Sequence, residues 1–494
     1  MDNILGLTLA ELSALLERKE LSSRELIAFY IDRIERFDGK LLAYLYKDAE
    51  SALKRAEQID DRRAKGEKLP RSAGLPCALK DLIVTSDMPT TCASKMLEGF
   101  ISPFDATAAK NMREAGYISL GKLNMDQYAM GSSGESSYFQ KTVNPWDYSR
   151  VPGGSSSGSA SAVAARLTPV AISSDTGGSI RQPAGFCGVT GLKPTYGRVS
   201  RFGVVSYASS LDQLGPITNS VEDAAFVMDV LGLNDPMDST SAPSKTDFYA
   251  NLQRAGDSLK GVRLGLPEGH LSDLAPGLKA AVENALKDCE KLGAEIVNVD
   301  FPLAAKGLPV YQMIANAEAA SNLAKYDGVK YGHRANIAEL EEMYSITRRE
   351  GFGPEVKKRI ILGTYILLEG QYEEYYRRAM RIRRLIRKDY DAAFKKCDLI
   401  VGPVSAGVAF RFGDKTISAM EMYLNDLFTV LLNLNGSCGI TVPCGFGEDN
   451  LPVGLQFQGD MFAEDALLRA AHIYQQSTDW HKRIPALLEN GVER

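Results

Sequence analysis

Two clusters of glycine and serine, Gly153-Gly154-Ser155-Ser156-Ser157-Gly158 and Gly177-Gly178-Ser179, fall within the single stretch Val151–Arg181. A serine hydroxyl becomes a nucleophile only when a base takes its proton and donors await the oxyanion that forms. Ser179 has such donors beside it, the backbone N–H groups of Thr176, Gly177 and Gly178, with little side chain in the way. Glycine at this density allows close backbone approach and dihedrals that other residues avoid. A Ser/Gly linker would be polar and aperiodic on both sides. Here the clusters are separated by Ala160–Ala165, which reads as a short helix, and Val170–Ile172, which reads as a strand. The stretch is therefore expected to form two walls of one active site.

The base is less obvious. The chain has four histidines, His270, His333, His472 and His481, and none is near either cluster in sequence. A lysine can serve if burial or a neighbouring cation draws its pKa from about 10.4 toward neutrality. Lys80 closes the apolar run Cys77-Ala78-Leu79, which should wall in its stem. A lone buried lysine equally suits a structural ion pair, here with Asp81. A competing nucleophile is Ser156, central in a G-x-S-x-G match at Gly154–Gly158. That elbow needs a strand running straight into it, whereas Asn144-Pro145-Trp146-Asp147 to Val151-Pro152 reads as proline-bounded loop.

With 494 residues, 45% hydrophobic and 24% charged, the composition suits a soluble globular enzyme with a large core. A net charge of −5 argues against this chain alone gripping a nucleic-acid backbone. The basic run Arg377–Lys388 carries Met380, Ile382, Leu385 and Ile386 at roughly helical spacing, so it reads as a solvated helix face rather than an RNA patch. Seven cysteines without a CxxC pair sit mostly in apolar runs, as reduced thiols do. With no signal-like start and no long apolar span, a cytoplasmic protein of bacterial or archaeal type is expected, without a membrane. Neither GxxxxGK[ST] nor GxGxxG occurs, so ATP chemistry would have to sit on another chain. No metal site is expected.

The elements that must position these residues follow from periodicity. Thr8-Leu9-Ala10-Glu11 and Ser22-Ser23-Arg24-Glu25 are capping boxes, each opening an amphipathic helix. A third helix has Ala49, Ala52, Leu53, Ala56 and Ile59 on one face. Residues 1–70 are thus expected to form an N-terminal helical arm, and 71–494 a catalytic unit with a helical peripheral region at about 305–390. The Pro-, Ser- and Asp-rich run Leu233–Lys245 is a candidate boundary. From Gly74 short apolar runs alternate with helical stretches, which predicts an α/β fold: a large mixed, mostly parallel central sheet covered by helices.

Taken together, Gly74-Leu75-Pro76 to Lys80-Asp81, Gly153-Gly154-Ser155-Ser156 and Asp175-Thr176-Gly177-Gly178-Ser179-Ile180-Arg181 resemble, in order and spacing, the motif blocks of the amidase signature enzymes. The resemblance implies a Ser/Ser/Lys triad: Ser179 as acyl-forming nucleophile, Ser155 as relay after a cis peptide, and Lys80 as base. Asn124-Met125-Asp126 to Ser133, Gly191–Arg201, Ser209–Gln213 and Asp479–Arg483 resemble one branch of that family, the A subunits of tRNA-dependent amidotransferases. Departures are Ser157, where the family usually has glycine, Gln312, where the branch commonly has tyrosine, and a short, proline-poor Val404–Ile417.

Free glutamine carries an α-carboxylate and an α-ammonium, so a selective pocket needs a fixed cation and a fixed anion, and guanidinium suits the carboxylate. In the branch these roles fall in contexts matched here by Arg359 (Glu355-Val356-Lys357-Lys358-Arg359-Ile360), Asp426 (Tyr423-Leu424-Asn425-Asp426) and Tyr311 (Leu308-Pro309-Val310-Tyr311). The resemblance implies a glutamine amidohydrolase that releases ammonia for transamidation of mischarged Glu-tRNA(Gln), Asp-tRNA(Asn) or both. It further implies partner subunits B and C, with tRNA contacted mainly through the partners and ATP and Mg2+ held there too. The alternative is a stand-alone amidase acting on another small amide.

Overall fold

Thr8 and Ser22 each accept a hydrogen bond from the N–H three residues on, and Glu11 and Glu25 reach back to the cap N–H, so the helices Leu9–Glu17 and Ser23–Leu41 start at both predicted boxes. Asp48 caps Ala49–Ala64 in the same region. The computed structural model describes residues 2–243, 247–272, 274–414 and 426–489. One apolar core runs through it from Ile4 to Leu488, so the N-terminal helices share the core of the rest.

Eleven strands form one sheet among the described residues. They are β1 (Tyr44–Lys47), β2 (Pro76–Lys80), β3 (Ile118–Leu123), β4 (Val170–Asp175), β5 (Thr190–Lys193), β6 (Gln213–Thr218), β7 (Arg263–Pro267), β8 (Glu295–Val299), β9 (Leu399–Pro403), β10 (Gly439–Phe446) and β11 (Pro452–Gln458). Their order is β1-β3-β2-β4-β6-β5-β10-β11-β9-β7-β8. β1 is an edge strand that the helical reading of 1–70 does not contain.

The sheet is mixed and helix-covered, but the expectation of a mostly parallel one needs correction. Pairs β2–β3, β2–β4, β7–β8 and β7–β9 are parallel. Pairs β1–β3, β4–β6, β5–β6, β5–β10, β10–β11 and β9–β11 are antiparallel. Parallel neighbours need a long crossover, such as the helix Pro276–Lys291 between β7 and β8. The return from β10 to β11 spans only 447–451, too short for a crossover, and forces reversal.

Every residue of β2 and β4 is buried, as befits strands covered on both faces. Their parallel register, Ala78 opposite Ala171 and Leu79 opposite Ile172, brings the last residue of β2, Lys80, to the end of β4. The helix Ser157–Ala164 is built almost wholly of small residues and is buried throughout. A Cβ at Gly158 would stand 2.3 Å from Ala43 O and 2.6 Å from Asn124 N, so only glycine lets this helix sit so close.

The peripheral region holds helices Ala304–Asn322, Leu340–Gly351, Pro354–Leu367 and Arg378–Lys396. The first and third pack together at Gly363, where a Cβ would lie 1.9 Å from Asn316 O. That contact sets Tyr311 and Arg359 on neighbouring helices. The basic run buries Ala379 and Ile386, and spends Arg383 on Leu434 O and Ser210 and Arg387 on Asp391 and Asp460. No described helix is long and apolar enough to cross a membrane.

Candidate active site

Lys80 is fully buried and its Nζ lies 2.8 Å from Ser155 Oγ, 2.9 Å from Ser156 Oγ and 2.9 Å from Ser174 Oγ. Burial draws its pKa down to about 7, against the opposing fields of Asp126, Asp175 and Asp212. The alternative ion pair with Asp81 is not formed. Successive strand residues point to opposite faces, and Asp81 instead meets Lys122 at 3.8 Å and the hydroxyl of Thr91.

The Gly154–Ser155 peptide is cis. Gly154 is packed so tightly that a Cβ would fall 2.1 Å from Asp126 Oδ2 and 2.8 Å from Ser133 N. Asp126 is itself held by the amides of Gly134 and Ser136 and by the Ser136 hydroxyl. Ser156, the competing nucleophile, is sealed: it is fully buried, follows loop rather than strand, and donates its hydroxyl to Ser174 O at 3.2 Å. Its N–H donates to Ser179 O at 3.2 Å, tying the two clusters together. Ser179 is 8% exposed, whereas Lys80 and Ser155 have no exposure, so Ser179 faces the opening.

The loop before Ser179 is organised by Asp175. Its carboxylate accepts from the amides of Gly178 (2.9 Å) and Ile180 (3.1 Å), from Arg181 Nε and Nη2 (3.1 and 3.0 Å), and from Asn433 Nδ2 (2.9 Å). Burial alone would raise its pKa, but the Arg181 guanidinium brings it to about 2. The Gly178 N–H is thereby spent, so Gly178 is not the free oxyanion donor expected from its position. Its place rests on shape: φ is +132°, and a Cβ would lie 2.2 Å from Thr429 Oγ1. The amides of Thr176 and Gly177 have no acceptor among the described residues. None of the four histidines bonds a serine of either cluster there; His333, for example, pairs with Glu350 at 2.8 Å.

The three recognition residues form one group beside the acylation loop: Arg359 acts electrostatically on both Tyr311 and Asp426, and Tyr311 reaches the loop itself. Tyr311 is buried with its ring against Gly177, where a Cβ would stand 2.6 Å from Tyr311 Cζ and Oη. Burial, Tyr207 and Asp426 raise its pKa well above the usual phenol value, so it is a neutral donor. Arg359 donates through Nε to Glu355 at 2.8 Å and through Nη1 to Tyr207 Oη at 2.6 Å. Asp426 accepts the Ser132 hydroxyl at 2.9 and 3.0 Å, and burial raises its pKa to about 7, with Arg359 opposing. Tyr423, Leu424 and Asn425 of its motif, and Lys415, Thr416 and Ile417 of the short segment, lie outside the described residues.

Of the departures, Ser157 bonds Thr142 at 3.2 Å and Gln312 accepts from Asn316 at 3.2 Å. Ser132 and Asp212 stand in blocks that carry the branch resemblance but have no role assigned there, and Ser174 and Tyr207 lie outside the motif blocks. Of the latter two, only Ser174 leaves a local signal, as part of the polar pair Ser173-Ser174 near the end of an apolar strand.

A buried amine ringed by hydroxyls and opening onto a glycine loop defines an acyl-transfer centre that dispenses with histidine. The chain belongs to the amidase family, whose model matches residues 25–468. It is 51% identical to the A subunit of the glutamyl-tRNA(Gln) amidotransferase of Moorella thermoacetica, over 97% of this chain and 98% of that one. Among solved structures, the A subunit of the glutamyl-tRNA(Gln) amidotransferase of Thermotoga maritima superposes with a TM-score of 0.79 at 38% identity, covering 96% and 95% of the two chains. The peptide amidase of Stenotrophomonas maltophilia superposes with a TM-score of 0.82 at 32% identity, covering 95% and 96%.

Proposed function

We propose that this chain is the glutamine-hydrolysing subunit of a tRNA-dependent amidotransferase. The observation that carries the reading is the grouping of Arg359, Asp426 and Tyr311 beside the loop that bears Ser179: a guanidinium, a buried carboxyl group that an incoming ammonium would ionise, and a neutral phenol donor next to one acylation centre. Neutral Lys80 takes the Ser155 proton, Ser155 takes that of Ser179, and Ser179 attacks the side-chain carboxamide of glutamine. The amides of Thr176 and Gly177 receive the oxyanion. Collapse returns the proton to the leaving nitrogen and frees ammonia; water then hydrolyses the acyl-enzyme to glutamate. Arg359 binds the α-carboxylate and Asp426 the α-ammonium.

In this reading the chain is cytoplasmic and works in a hetero-oligomer with subunits B and C. The partners contact the mischarged tRNA, bind ATP and Mg2+, and consume the ammonia. The test is glutaminase activity with mass spectrometry of the trapped acyl-enzyme. The acyl group is expected on Ser179, and Ser179→Ala is expected to lose both label and turnover by at least about a thousandfold. Arg359→Ala and Asp426→Ala should each lose glutamine efficiency by the equivalent of about 2–5 kcal/mol, typical of unpairing a buried charge contact. Acylation by a small uncharged ester should be spared. Variants that use glutamine as the parent does would require a broader amidase instead.

A further inference from the structure

Asp212 stands between the acylation loop and the arginine clamp. It is 5% exposed and immediately precedes β6. Its Oδ1 accepts the Thr176 hydroxyl at 2.7 Å and its Oδ2 accepts the Tyr207 N–H at 2.9 Å. Both oxygens also take the Ala208 N–H, at 3.0 and 3.1 Å. Tyr207 continues the chain of contacts: its Oη accepts Arg359 Nη1 at 2.6 Å, and the guanidinium carbon lies 5.4 Å from its ring centroid. On the far side, Asn322 donates to Tyr207 O at 3.1 Å and fixes the turn to the helix that carries Tyr311.

Resting on the glutamine reading above, we propose that Asp212 is a positioning residue that sets the acylation loop and the α-carboxylate clamp at one fixed separation. One carboxylate holds Thr176, whose amide faces the oxyanion, and Tyr207, whose ring and hydroxyl aim Arg359. Three donors converge on two oxygens, so the site needs an acceptor-only group. Asparagine would turn an NH2 toward backbone N–H groups and lose the Oδ2 contacts. Glutamate keeps the charge but places it one methylene too far.

The charge has its own consequence. Around Asp212 stand Thr176 and Tyr207; burial raises its pKa, with Glu318 adding to the rise and Arg201 opposing it. Its negative charge joins those of Asp126 and Asp175 in supporting protonation of Lys80. Removing that charge lowers the Lys80 pKa, so the neutral base persists to lower pH.

The experiment measures kcat and KM of the full chain, with partners where assembly requires them, for glutamine and for a small uncharged ester, together with thermal unfolding. Tyr207→Phe should raise the glutamine KM roughly tenfold and leave the ester unchanged. Thr176→Val should lower kcat for both substrates, again roughly tenfold. Asp212→Asn should combine the two effects and move the acid limb of the rate profile to lower pH; Asp212→Glu should combine them without moving the limb. An unchanged glutamine KM in Tyr207→Phe overturns the proposal even if both Asp212 variants unfold. So does an Asp212→Asn protein that folds and behaves as the parent. If Arg359→Ala itself uses glutamine normally, the glutamine reading fails instead, and the ester kcat and limb shift still decide whether Asp212 supports the acylation loop.

Discussion

Two lysines in this sheet differ in what surrounds them rather than in how deeply they lie. Lys80 ends β2 and Lys193 ends β5; both are fully buried, and burial draws both down to about 7. Around Lys80 are three hydroxyls within 2.9 Å, those of Ser155, Ser156 and Ser174, with one carbonyl, Ser174 O, farther off at 3.5 Å. Around Lys193 are carbonyl acceptors: Pro194 O at 2.9 Å, Gln213 Oε1 at 2.6 Å and Ser437 O. A carbonyl has no proton to give, so Lys193 can only donate and brace. A hydroxyl can reverse the bond, giving its proton to a neutral amine, so Lys80 can act as a base. A lowered pKa alone does not identify a catalytic lysine; the partners do.

Replacing the lysines should separate them most widely in rate. Lys80→Ala and Lys80→Arg should each cut glutaminase turnover by at least about a thousandfold, since one removes the base and the other leaves a guanidinium that stays charged. Steady-state ammonia release checks this, with circular dichroism to confirm the fold. Substantial activity in the arginine variant would remove Lys80 from the role.

How much of this could be read beforehand depends on the range of the interactions. Lys80, Ser155 and Ser179 lie in motif blocks whose order and spacing are visible in the chain. The capping boxes and most strands are equally local, because a cap or an apolar run needs only its neighbours. β5 and β6 were not legible: Thr190-Gly191-Leu192-Lys193 and Gln213–Thr218 contain glycine or proline and little apolar alternation. Their pairing with β10 and β4 is a long-range matter, and so is the sheet's antiparallel majority. Ser174 reaches Lys80 only through the β2–β4 register, and Asp212 reaches Thr176 only once β6 lies beside β4.

Lys193 supplies the converse test. Lys193→Met should keep glutaminase activity within about tenfold while losing about 2–4 kcal/mol of stability, because three buried acceptors are left without a donor. Denaturant titration and the glutaminase assay on the same preparation check both halves. A folded Lys193→Met protein as inactive as Lys80→Ala would break the distinction between bracing and catalysis.

The smallest effect tests the protonation state that the comparison assumes. For Lys80 the folded pKa is about 7, whereas an unfolded lysine titrates near about 10.4. Between those values the unfolded chain holds a proton that the folded chain has released, so this linkage makes stability rise with pH, by up to about 1.4 kcal/mol per pH unit. Lys80→Met removes the contribution of that one group and leaves Lys193 in place. On moving from about pH 7.5 to about pH 8.5, the parent should therefore gain about 1 kcal/mol relative to Lys80→Met in denaturant midpoints, and the sign should be the same at low and high salt because the group is buried. Between about pH 6 and about pH 8 the parent and Lys193→Met should share a rate profile that rises through about pH 7, since the base that must be neutral is Lys80. Parallel stability curves for parent and Lys80→Met would mean that the buried amine keeps its proton on folding, and a charged Lys80 has no lone pair with which to take the proton of Ser155.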